Sequence, residues 1–361
     1  MRPAYGRAPD LIGSLRGVPR WWRLAALMVL AGLALFAVDR WRDRPVPSAA
    51  AAAPADDPRD YAAALVAADR AVARAPNRPA LAGALLRRAR LTGSFDDLAR
   101  ADAVAATLAG GGTALRQAAL AVARGDFAAP GTATGQQARA TTALQHGAVA
   151  LGAGHWPQAA SYFAEAEQVF PGWWLVAAHR AQMLALQGDL EGANRAYRAI
   201  IGRTATADPV VMDALAALCF ERGDLPDGRL WAAQAAAVWE RRLLTWPAAS
   251  LARAAEHELA VGDPVRALDL ARRNLAAWPG RDAQLLLARA QLADGKAAEA
   301  VATIAALEAG GGRTAAQYVV LADALAVLDR GEESEAARQA ALAINPKALD
   351  TPASLLWFGA D

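Results

Sequence analysis

The side chains of this sequence that could carry chemistry are few and scattered. Four histidines (His146, His155, His179, His257) and one cysteine (Cys219) are the whole stock of imidazole and thiol. A zinc-type HExxH needs two histidines one helical turn apart with a glutamate between them. Here His257-Glu258 is followed by Leu259, Ala260 and Val261, so the second ligand is missing. The GxSxG nucleophile elbow and the GxxxxGK phosphate loop are absent, and the chain has two lysines, Lys296 and Lys347. Triple glycines at 110–112 and 310–312 follow alanine-rich helical stretches without a strand signal, so they read as helix ends rather than phosphate cradles. One cysteine excludes an intramolecular disulfide and a multi-cysteine metal site, and Cys219 reads as a small buried apolar residue. The expectation is a non-enzyme without catalytic, cofactor or metal residues, in which the histidines are solvated or part of a core.

The elements that carry these residues are helical. Of 361 residues, 55% are hydrophobic but only 6% aromatic, alanine dominates, and alternating Val, Ile and Thr runs are nearly absent. Such preferences give an all-α chain with a large core. The 38 basic and 36 acidic side chains leave a net charge of +2, with no concentrated basic face for a nucleic-acid partner.

The helices recur. Gly154, Gly188, Gly223, Gly262 and Gly295 are 34, 35, 39 and 33 residues apart. Five residues after each comes Ala159, Ala193, Gly228, Ala267 or Ala300; seven before comes Gly147, Ala181, Ala216, Ala255 or Ala288. Small residues at both places let paired helices approach closely. Phe163 and Tyr197 stand nine residues after the first two glycines, and Pro171 and Pro279 end second helices. The 39-residue interval is expected to come from a longer helix carrying Trp231, Trp239 and Trp246 on one face as a packed stripe. Upstream, Gly93 and Gly125 mark divergent turns, residues 128–136 interrupt the stack, and Asp57-Pro58 opens the first helix.

Segments such as LGAGHWPQAASYFAEAEQVFP and LQGDLEGANRAYRAI resemble the tetratricopeptide repeat (TPR) family. So does LDRGEESEAARQAALAINP, although Asp329 holds the usual glycine place and Ser334 the usual alanine. The resemblance implies an all-α, right-handed superhelical solenoid of about seven hairpins, which would follow the N-terminal transmembrane helix read below from the apolar run. It also implies that first helices line a groove for a protein or peptide partner, with no small-molecule substrate. Counting thirteen, ten and six residues back from each glycine gives the inward positions, mainly apolar, among them Leu144, Leu175, Gln182, Asp213, Glu256, Leu285 and Arg289. An apolar or helical partner segment is expected.

Residues 21–38, WWRLAALMVLAGLALFAV, suit one membrane-spanning helix with tryptophans at the interface. Five arginines up to Arg23 precede the uninterrupted apolar run from Leu24 and three follow it, which orients the amino terminus inside and places the bulk in a bacterial periplasm, tethered to the inner membrane. A cleaved signal peptide would share that apolar length, but charges at 39–44 displace the cleavage position and favour an uncleaved anchor. The expected organisation is a cytoplasmic segment 1–20, the anchor 21–38, a Pro/Ala-rich linker 39–57, divergent hairpins 58–135, regular repeats 136–346 and a capping tail 347–361 bearing Leu355, Leu356, Trp357 and Phe358.

Overall fold

A computed structural model describes residues 58–124, 135–203 and 208–350. The expected anchor 21–38, the Gly125 turn and the LLWF cluster lie outside these residues. Among the described residues every regular element is helical, and no helix is long and apolar enough to cross a membrane.

The first helix, α1 (Tyr61–Ala73), is capped by Asp60, whose Oδ1 accepts the Ala63 N–H at 2.8 Å. The start expected with Asp57 as cap, itself outside the described residues, therefore falls three residues later. Next come α2 (Arg78–Thr92), α3 (Phe95–Ala106) and α4 (Thr113–Ala123), with a 3₁₀ turn at Ala109–Gly112 before α4. Six hairpins follow: α5 (Gly135–Gly152) with α6 (Trp156–Val169), α7 (Trp174–Leu186) with α8 (Leu190–Arg203), and α9 (Pro209–Glu221) with α10 (Leu225–Thr245). They continue with α11 (Pro247–Val261) and α12 (Pro264–Ala277), α13 (Arg281–Ala293) and α14 (Ala297–Ala309), and α15 (Ala315–Val327) and α16 (Gly331–Ile344). Gly135 and Gln136, placed in a loop from composition, belong to α5.

Each second helix starts two residues after its turn residue, so the glycine register fixes the hairpins. At Asp329 the chain takes φ 56°, a left-handed conformation that a short polar side chain tolerates, which is how this turn forms without glycine. The small residues lie where the paired helices cross. Ala159, Ala181, Ala193, Ala216, Ala255, Ala267, Ala288 and Ala300 are all fully buried. At Gly147 an added Cβ would come within 2.3 Å of the Phe163 ring. In the last hairpin the Ser334 hydroxyl donates to the Ala322 carbonyl at 2.8 Å, which satisfies the one polar atom that its departure from alanine brings inside.

The long interval has the expected cause. α10 spans 21 residues, against 14 in α6, α8 and α12. Its tryptophans serve packing: Trp239 is buried, Trp231 lines both large cores, and Trp246, just beyond the helix, packs on the core of α2–α4. The glycines at 310–312 end α14, and their carbonyls hold a guanidinium: Arg281 donates to Leu307 O at 3.2 Å, to Gly312 O at 2.8 Å and to Gly311 O.

Two long-range features were not expected. The last corner returns to the first hairpin: the Asn345 side-chain amide donates to Gly152 O at 2.9 Å, and Lys347 lies over the Trp156 ring. The helices α1–α4 run along the corners between hairpins, where one second helix hands over to the next first helix. Tyr61 N donates to Pro171 O at 3.1 Å, the indole N–H groups of Trp173 and Trp174 both donate to Leu91 O, and Phe95 packs on Trp246. Arg124, after α4, lies over Trp278.

Candidate functional site

The inward positions fall into two classes. At the place thirteen residues before the turn, Thr141, Leu175 and Ala249 are buried and Val210 half-buried, whereas Asp282 and Ala316 are exposed. Six residues before the turn, Gln182 and Ala217 are buried, Glu256 and Arg289 are half-buried, and Asp323 is exposed. Six residues before the turn the register is thus closed over α7 and α9 and open along α11, α13 and α15; thirteen residues before it, only the positions on α13 and α15 are exposed.

Placed against this gradient, the seven groove residues separate. Leu144 and Leu175 belong to the largest apolar core, beside Ala64, Ala68 and Leu91. Gln182 is fully buried beneath the same layer. Glu256 is half-buried and pairs with Arg253 one turn earlier at 2.9 Å. Leu285 packs half-buried on the small core of Ala288, Ile304, Leu307 and Val320, and Arg289 follows on the same face. Surface available to a partner is therefore carried by Glu256, Leu285 and Arg289.

Asp213 lies inside the layer and does something else. Its side chain is inaccessible; Oδ1 is 2.6 Å from Nδ1 of His257, and Oδ2 accepts the Trp239 indole N–H at 2.8 Å. One carboxylate thereby ties α9, α10 and α11 together. Burial pushes the Asp213 carboxyl up, while the partnering imidazole and indole pull it back toward ionisation. An imidazole oriented by a buried carboxylate is two parts of a nucleophilic triad. Here the ring is only 3% exposed, and Ser250 on the same helix directs its hydroxyl to Trp246 O at 3.1 Å. The arrangement is that of a structural joint. It is hidden in the sequence because Asp213 and His257 are 44 residues apart and each looks ordinary alone.

His179 is also core: it stacks on Phe163 with ring centroids 4.7 Å apart, and burial lowers its pKa to about 4, so it stays neutral at physiological pH. His146 and His155 are exposed. Cys219, Asp224 and Asp227 offer ligand atoms within 4.8 Å of one another. All three are already engaged in holding helices together. Asp224 caps α10, Asp227 pairs with Arg198, and the buried Cys219 sulfur faces the Asn194 amide at 3.7 Å. Burial, with help from Asp227, raises the thiol above its ordinary range, which opposes a thiolate ligand.

A cavity of about 420 Å³ lies where α1 meets the corner before α7, lined by Tyr61, Pro171, Trp174, Ile200 and Arg203 among others. Arg242 sits in a second seam: it pairs with Asp208 at 3.4 Å and lies over the rings of both Phe95 and Trp239. It thus connects the α1–α4 layer to the Asp213–His257 joint.

No protein-family model and no curated protein matches this chain. Several solved structures are similar in helical arrangement. A tetratricopeptide repeat protein from Parabacteroides merdae is 15% identical, with 60% of this chain and 82% of that one covered at a TM-score of 0.34. Pseudomonas aeruginosa pilF is 14% identical, covering 58% and 94% at 0.33. Yeast Tom70 is 13% identical, covering 81% and 62% at 0.33. None of these likenesses assigns a partner, a ligand or an activity to this chain.

Proposed function

We propose that this protein is a membrane-tethered scaffold that holds another protein against the open inward face of α11, α13 and α15. The graded burial of equivalent positions carries the reading. Where the register is open, it offers Ala252, Leu285 and Val319, all half-buried, flanked by Glu256, Arg289 and Asp323. An apolar strip with charges at its margin suits an amphipathic helix or extended segment. Tethering comes from residues 21–38, with the arginine bias placing the helical part in the periplasm and the linker 39–57 holding it clear of the bilayer. In such a setting the scaffold gathers an exported or envelope complex and carries out no chemistry itself.

The test is crosslinking in intact cells followed by affinity capture. One or two stoichiometric partners are expected with the unaltered chain and with Leu244→Asp, whose position is 84% exposed on α10 and outside the face. Leu285→Asp should abolish that capture. Capture that survives Leu285→Asp rejects the proposed face, and a broad set of substoichiometric unfolded chains replaces the scaffold with a chaperone-like holder. Location is read separately, from a reporter fused after Asp361 that is active only outside the cytosol; a silent fusion in a stable protein rejects the orientation.

A further inference from the structure

We propose that α1–α4 form a clasp that swings off the stack as a unit and so uncovers the starts of α7 and α11. This goes beyond the scaffold reading and does not require the partner. The clasp has a core built from its own Leu85, Leu86, Ala89, Leu98, Ala119 and Val122, with Trp246 of the stack packed against it. To the stack's core it lends Ala64, Ala68 and Leu91, two of them alanines that bury little apolar area. The rest of the seam is made at corners and edges: two indole N–H groups on one carbonyl of α2, Arg242 over Phe95, Arg124 over Trp278, and the Tyr61 N–H on Pro171 O. Such contacts can be broken without emptying either core, which is the structural condition for opening as a unit rather than by unfolding.

Position along the chain fits the same device. α4 packs on α11, the helix from which the inward register is open at the place six residues before the turn. A closed clasp covers Trp174 at the start of α7 and Trp246 at the start of α11, and release would expose both rings.

Thiol labelling of the full-length chain in a Cys219→Ala background tests this. Ala68→Cys reports the seam, Ala89→Cys the interior of the clasp, and Ala255→Cys the interior of the stack; all three positions are buried. Unit opening makes the seam thiol react about a hundredfold faster than the other two, as local opening requires. Adding Phe95→Ala, which removes the ring under Arg242, should speed the seam thiol a further tenfold or about that, and leave Ala89→Cys and Ala255→Cys unchanged. Equal rates at all three sites, or an acceleration by Phe95→Ala shared by all three, overturns the proposal. If Ala68→Cys does not fold, Ala64→Cys, one turn earlier and in the same core, is read in its place.

Discussion

Around Gly93, the turn between α2 and α3, the residues seven before and five after are Leu86 and Leu98; around Gly188, between α7 and α8, they are Ala181 and Ala193. Both pairs are buried at the crossing of two helices. Alanines let the helix axes approach, so each hairpin stays thin and offers its flanks to its neighbours. Leucines fill the α2–α3 crossing with larger side chains, which join Leu85, Ala89, Ala119 and Val122 in a core of α2–α4 against which Trp246 of the stack packs. One turn motif therefore yields two outcomes: a repeat that stacks on like hairpins to bury its core, and a bundle with a leucine-filled core that lies across the corners of other hairpins.

This contrast can be attacked from both sides, beginning with the largest effect. Asp213→Ala strands His257 and the Trp239 indole inside the stack, and removing one member of a buried polar cluster should cost about 4 kcal/mol. Urea unfolding should show the loss with α5–α16 as the affected cooperative unit; a change below about 1 kcal/mol would mean that the joint is not holding α9 to α11. Next, crossing positions should respond with opposite chemistry. Leu98→Ala opens a cavity in the bundle and should cost about 3 kcal/mol, whereas Ala193→Leu overpacks the α7–α8 crossing and should cost about 2 kcal/mol. If Ala193→Leu were neutral, the small-residue register would be compositional accident rather than a packing requirement.

The smallest predicted effect uses acid. All four histidines lie in the stack. His179 has a folded pKa of about 4 against 6.5 unfolded, so between those values the unfolded chain binds more protons and stability falls as pH is lowered. From pH 7.5 to 5 the loss should be about 2 kcal/mol, from roughly 1.4 kcal/mol per pKa unit. His179→Phe should remove that slope in circular-dichroism melts; an unchanged slope would assign it elsewhere.

Much of the stack is legible in the order of residues. The turn residues, the starts of the second helices, the long α10 and the helix end at Gly310 all depend on residues within one or two turns of each other, where φ freedom, side-chain volume and helix termination act directly. The inward register is only half legible. A fixed offset from a glycine places Leu175 and Leu285 on equivalent positions, and nothing local tells that one sits in a core with Ala64 and Leu91 while the other is half open.

What the linear chain determined by itself is the run of helices, their pairing across tight turns and the small residues at each crossing, because those follow from forces that span a few residues. The tertiary structure alone decided that the last corner meets the first hairpin, that α1–α4 lie along the corners, and that Asp213 faces His257 rather than a partner. Those outcomes depend on small rotations added from hairpin to hairpin, and such sums bring together residues up to 193 positions apart that carry no mark of one another in sequence.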